Sequence, residues 1–96
     1  MSGWVYILAC KRNGTLYTGV TADLAARMVQ HRQGKGPGFA AKYGVALLVH
    51  AEPFERIDEA IAREKAIKKW RRAWKVKLIE SENPDWNDLY KHLLGA

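Results

Sequence analysis

Trp4-Val5-Tyr6-Ile7-Leu8-Ala9-Cys10, then Lys11-Arg12-Asn13-Gly14, then Thr15-Leu16-Tyr17-Thr18-Gly19-Val20-Thr21: the fold of this chain turns on how these three consecutive segments pair. The first is almost wholly apolar and rich in aromatic and β-branched residues, the composition of a strand covered on both faces. Asn13-Gly14 supplies a turn, and the third segment reads as the returning strand of a β-hairpin. Side chains alternate along a strand, so Tyr6 shares a face with Trp4, Leu8 and Cys10, and Tyr17 shares one with Thr15, Gly19 and Thr21. Two registers are open. A tight turn pairing Arg12 with Thr15 sets Tyr6 opposite Thr21, whereas a longer loop sets Tyr6 opposite Gly19. Either register brings both tyrosines to the same face.

Outward from the hairpin, Thr21 is placed to be the N-cap of a helix from about Ala22 to Gln33, with Asp23 in its first turn and Gly34 as its stop. Gly34-Lys35-Gly36-Pro37-Gly38 is a loop without the spacing of a nucleotide-phosphate cradle, and it reads as a flexible segment facing a polyanion. Val45 to His50 is a third strand. Helical patterning follows over about Arg56 to Lys69, Trp70 to Glu80 and Trp86 to Leu94. With no repeat and no linker, the order β-β-α-β-α-α implies one α+β domain over residues 1–96, a small sheet packed by helices.

The 96 residues carry 16 Lys plus Arg against 10 Asp plus Glu, a formal charge of +6, and 48% of them are hydrophobic. That is too apolar for a disordered basic tail. No apolar run approaches the roughly 18–20 residues of a membrane span, and Met1-Ser2-Gly3-Trp4 lacks the start of a secretory leader, so a cytoplasmic protein without membrane contact is expected. Cys10 is the single cysteine, which excludes an internal disulfide and, taken alone, a zinc site.

The charge is concentrated. Arg63, Lys65, Lys68, Lys69, Arg71, Arg72, Lys75 and Lys77 lie in a stretch whose one acid is Glu64, interleaved with Trp70 and Trp74. Such a patch suits a phosphate backbone better than generic solvation. The expected nucleic-acid contacts are Lys35 and Lys42 together with Arg63, Lys65, Lys69, Arg71 and Arg72, the last five solvated and close to Glu64. Trp74 and Trp86 read as packing residues rather than base-stacking ones, and His50 and His92 have no companions suggestive of a ligand set.

On the first helix Leu24, Arg27, Met28 and His31 have the spacing of one stripe. A competing stripe through Ala25, Met28 and Val29 would leave Arg27 and His31 at the solvent edge, with Arg27 a surface partner of Asp23. On the second helix Ile57, Ala60 and Ile61 set the core-facing side, and Glu64 falls one heptad after Ile57. A buried carboxylate needs a cation, either a metal ion or Lys68 one turn on.

Val5-Tyr6-Ile7, Tyr17-Thr18-Gly19, then Thr21, Leu24, Arg27, His31 and a helical Glu64 in that order resemble the GIY-YIG nuclease superfamily, and in particular its small stand-alone bacterial members. These share the Gly-Lys-Gly loop, the Arg-Glu-x-x-Ile-Lys setting of Arg63 to Lys68 and an ending like Asn83-Pro84-Asp85-Trp86. The resemblance covers most of the chain. It departs at Trp4, Val5 and Thr18, which replace a glycine and two isoleucines of the name-giving motifs, and neither Asn83 nor Asn87 matches the family's late asparagine. The resemblance implies a three-stranded antiparallel sheet flanked by helices and a metal-dependent endonuclease hydrolysing DNA phosphodiester bonds, in repair or processing. Its site would be Tyr6, Tyr17, Arg27, His31 and Glu64, with Gly19 and Thr21 as structural motif positions. Glu64 would hold one divalent ion, Mg²⁺ or Mn²⁺, and no small-molecule cofactor is implied. The alternative is a nucleic-acid-binding module of the same fold, without catalysis or dependent on a protein partner for it.

Overall fold

A computed structural model describes residues 1–32 and 47–90. The apolar run forms strand β1 (Gly3–Ala9), the centre of a three-stranded antiparallel sheet of order β2-β1-β3, with β2 at Leu16–Thr21 and β3 at Leu47–Phe54. The hairpin takes the longer loop. Cys10 N donates to Thr15 O at 3.2 Å and Gly14 N to Lys11 O at 2.9 Å. Asn13 stands in the left-handed region at φ 59°, which asparagine tolerates. Tyr6 therefore pairs with Gly19 and Leu8 with Tyr17.

Strand β3 runs past the expected end at His50, through Pro53, which an edge strand admits because it needs no ladder donor there. Its register against β1 slips between Ile7 and Leu8. The extra residue, Val49, turns to one face and Leu48 to the other, so the bulge feeds both cores. Val5, Ile7 and Ala9 pack with Ala60, Ile67, Ile79 and Trp86. On the opposite face, Tyr6 and Leu8 pack with Leu24, Met28 and Leu48.

Helix α1 (Leu24–Arg32) starts two residues later than the sequence reading placed it, because Asp23 rather than Thr21 is the cap. Ala26 N donates to Asp23 Oδ1 at 3.1 Å, and Thr21 Oγ1 accepts from Asp23 N at 3.1 Å, bracing the turn that leads in. Helix α2 (Ile57–Lys68) buries Ala60, Glu64 and Ile67, while Ile61, assigned to the core by spacing, is exposed. The chain then tightens: Lys69 N and Trp70 N reach back to Ala66 O and Ile67 O at 3.1 and 3.0 Å, so α3 begins at Arg72 instead of Trp70 and runs to Glu82.

No helix begins at Trp86. That residue is buried at φ 56°, its Nε1 donating to Glu80 Oε2 at 2.7 Å. Asn83 Nδ2 donates to Val49 O and Asn87 O, and its Oδ1 accepts from Asn87 N. Leu48 N donates to Asp88 Oδ1, and Leu89 N to Leu48 O. These bonds use the segment's polar groups to tie it to β3. The remainder of the expected last helix lies outside the described residues.

A charged knot joins β3 to α2. Arg63 donates to both oxygens of Glu52 at 2.9 and 3.1 Å, and Glu52 Oε2 is 2.8 Å from Nε2 of the buried His50. Burial would raise the Glu52 pKa, but the hydrogen bonds from His50 and Arg63 outweigh it and hold the carboxyl down at about 2. A depressed folded-state pKa adds stability that is complete above the unfolded value of about 4.5 and is lost as pH falls toward 2. Glu52→Gln should lower stability at neutral pH by roughly 2–3 kcal/mol and flatten the acid limb of the stability curve. Urea unfolding across a pH series measures both; an acid limb parallel to that of the parent protein would show that the knot is not its source.

Candidate active site

The hairpin register decides where the tyrosines meet. Tyr6 and Tyr17 are diagonal neighbours on one sheet face, their ring centroids 6.3 Å apart. Gly19, directly across from Tyr6, leaves the space its ring occupies: a Cβ there would stand 2.5 Å from both Cζ and Oη of Tyr6. Among the described residues this glycine has a packing reason rather than a conformational one.

Helix α1 closes the cluster with the mixed stripe, not the competing one. Leu24, Met28 and His31 are buried and Arg27 is half-buried, while Ala25 and Val29 face solvent. His31 lies 5.8 Å from the Tyr6 ring and 5.6 Å from the Tyr17 ring. Its Nε2 is 3.1 Å from the Tyr6 hydroxyl, which also hydrogen-bonds Tyr17. Tyr6 is thus the middle of a three-ring chain, with a proton partner on each side whichever tautomer His31 holds. Among the described residues, His31 Nδ1 is buried without a hydrogen-bond partner.

Charges converge on the same hydroxyl. Burial above all, then the neighbouring Tyr17, pushes the Tyr6 pKa well above its ordinary value of 10; the Arg27 charge pulls it down and the Glu64 charge pushes it up. Burial and then Arg27 lower the pKa of His31. The carboxylate of Glu64 is one-eighth exposed and pairs with Lys68 Nζ at 2.8 Å, so the i to i+4 partner weighed from spacing is present on a buried acid. The structure therefore brings Tyr17, Arg27, His31 and Glu64 within electrostatic or hydrogen-bonding reach of Tyr6. Asn83 lies apart, its amide spent on backbone groups.

The expected nucleic-acid residues divide. Lys65, Lys69 and Arg71 are exposed. Arg63, expected to be solvated, is only one-third exposed, tied to Glu52 and laid over the Trp70 ring at 5.1 Å. Arg72 is exposed but donates to Asn13 O and Gly14 O at 2.8 and 2.7 Å, clamping the hairpin loop to α3. Both guanidiniums thus have protein partners, backbone and carboxylate oxygens outside their own helices that helical spacing could not show. Lys35, Lys42 and the Gly34 to Gly38 loop lie outside the described residues. Trp74, assigned to packing, is instead 52% exposed, although Trp70 and Leu78, four residues to either side of it, pack against the core.

Residues 2–77 match the GIY-YIG catalytic domain, a span running from before β1 into α3 that takes in every ring and charge of the cluster. The chain belongs to this family of nuclease domains. Its relatives are small proteins of similar length: it is 42% identical to the UPF0213 protein SH2523 of Staphylococcus haemolyticus over 77 residues, covering 80% of this chain and 93% of that one. To the UPF0213 protein SSP2268 of Staphylococcus saprophyticus it is 38% identical, over 79% of this chain and 92% of that one. The solution NMR structure of the UPF0213 protein BH0048 from Bacillus halodurans superposes with a TM-score of 0.60 at 33% identity, covering 95% of this chain and 96% of that chain.

Gly19→Ala should displace the Tyr6 ring and destabilise the protein by about 1–3 kcal/mol through overpacking. In a Tyr6→Leu background the same change should cost markedly less, because the clash partner is gone. A double-mutant cycle by chemical denaturation reads the coupling. Additive costs would mean that the glycine serves something other than Tyr6.

Proposed function

We propose that the protein is a metal-dependent endonuclease of DNA, working as a single domain over residues 1–96, in the cytoplasm, in repair or processing. The observation that carries this reading is the Tyr17–Tyr6–His31 chain set beside the Arg27 charge and the buried Glu64. Among the described residues no three His, Cys, Asp or Glu side chains cluster, which excludes a cage of several such side chains there. Mg²⁺ does not require one, since one or two carboxylates with water and phosphate oxygens satisfy it. Glu64 fits that need, and the ammonium of Lys68, on a half-exposed side chain, can withdraw to solvent. A bound Mg²⁺ or Mn²⁺ ion would supply Lewis acidity and charge relief at the phosphate.

The protein's own groups have distinct work. Tyr17, less buried than Tyr6, is the ring an incoming backbone meets first. Arg27 presents a planar fork suited to a non-bridging phosphate oxygen. Tyr6 is a phenol at neutral pH, so it accepts a proton from an attacking water only after passing its own on, and neutral His31 at 3.1 Å is placed to receive it.

Plasmid, single-stranded and branched DNA incubated with Mg²⁺ or Mn²⁺ test the reading directly. Cleavage is expected, reduced at least ~100-fold by Glu64→Gln and by Tyr6→Phe. Its rate should climb with pH through neutrality and past pH 9, since the raised Tyr6 pKa keeps the reactive form scarce below it. Cleavage unaltered by Glu64→Gln overturns the metal site. The Glu64–Lys68 ion pair favours one second reading, a partner-dependent binding module whose carboxylate stays neutralised; it predicts salt-sensitive binding without cleavage, the same in Glu64→Gln.

The exposed cations give an independent expectation. Lys65→Glu with Lys69→Glu should weaken DNA binding and reduce the slope of log affinity against log salt by about two units, while leaving stability nearly unchanged. An affinity series across salt decides it, and an unchanged slope would make the patch a solvated helix face.

A further inference from the structure

We propose that the groove formed by Trp70, just before α3, and Trp74 on α3 is a stacking site for an unpaired nucleobase, so that the protein engages nucleic acid with a single-stranded or unstacked segment. The inference rests on the nucleic-acid reading above and specifies the form of nucleic acid that reading leaves open. Trp70, Trp74, Lys77, Leu78 and Ser81 line an open groove of about 350 Å³. Its walls are largely apolar, yet it lies in the most basic stretch of the chain. Trp74 is the one exposed tryptophan among the described residues. The two indoles meet edge to face at 6.1 Å, so they are not stacked face to face on each other.

Each indole already carries a guanidinium: Arg63 lies 5.1 Å from the Trp70 ring centroid and Arg71 lies 5.1 Å from that of Trp74. Arg63 is spent on Glu52, which leaves Arg71 and Lys77 as the cations beside the groove, and an aromatic floor so bordered, with no acid among its described lining residues, is complementary to a flat base followed by a phosphate. A protein helix would gain from the apolar floor, but only an acidic one would gain from the cations. A second copy is disfavoured because both would carry a formal charge of +6. The groove also begins close in sequence to Glu64. Arg63 adjoins Glu64 in sequence, and the helical rise from Glu64 to Lys68, just before Trp70, is about 6 Å, comparable to the reach of one nucleotide.

The test uses the full chain without divalent ions and three probes of equal length: oligo-thymidylate, the same backbone made abasic, and a duplex. The parent protein should bind oligo-thymidylate more tightly than the abasic strand, with quenching of tryptophan fluorescence. Trp74→Ala should cut oligo-thymidylate affinity about tenfold, abolish the difference between the two strands and leave the salt slope and duplex affinity as they were. Trp74→Phe, which keeps a stacking ring, should restore most of the preference. Equal losses on all three probes, or no loss, overturn the stacking site while leaving the DNA reading intact. A parent protein that binds none of them overturns both. Concentration-dependent dimerisation lost in Trp74→Ala overturns it in favour of a second copy.

Discussion

Burial of β1 on both faces is the constraint from which the site follows. A central strand packed by α2 and α3 on one side and by α1 on the other has no solvent edge toward which a phenol can point. Tyr6 can be accommodated only where its cross-strand neighbour has no side chain, and the four-residue hairpin loop delivers Gly19 to that place. Once the ring is seated, burial makes its proton hard to remove, and an acceptor must come from a packed element rather than from water. His31 meets that need because it replaces an apolar residue at the end of the same α1 stripe that Leu24 and Met28 anchor. The chemistry is thus mounted on core packing, and the groups that would act are held by the contacts that keep the protein folded.

Much of this was legible in the sequence because it depended on local periodicity. Alternation put the tyrosines on one face under either register, and the heptad after Ile57 put Glu64 on the buried side of α2. The choice between registers was not legible, since Asn-Gly serves a tight turn and also the end of a longer loop. Nor was the choice between stripes on α1, because Met28 belongs to both and the deciding contact, His31 against Tyr6, spans two elements. Where the reading failed, the cause was tertiary. Ile61 is apolar yet faces solvent because α2 meets the sheet along Ala60, Glu64 and Ile67. Asp23 displaced Thr21 as a cap by reaching Ala26 N from the better position. The turn at Trp86 is set by Asn83 and Asp88 bonding to β3, partners that lie more than thirty residues away.

The basic stretch shows why a count of cations overstates a binding surface. Its charges are spent in three ways. Arg63 and Arg72 join α2 and α3 to β3 and the hairpin loop through charge-assisted bonds, Lys68 neutralises Glu64, and Lys65, Lys69, Arg71 and Lys77, with the half-buried Lys75, are left on the surface. Because two of these uses tie the patch to the buried Glu64 carboxylate and to the loop that sets the tyrosine register, a polyanion drawn to the exposed lysines would be held close to both. Phosphate contacts of this kind orient a strand without reading its sequence. The same bonds that leave fewer cations for affinity therefore fix where the remaining ones stand relative to Glu64, and on a chain of this size that positioning counts for more than added charge.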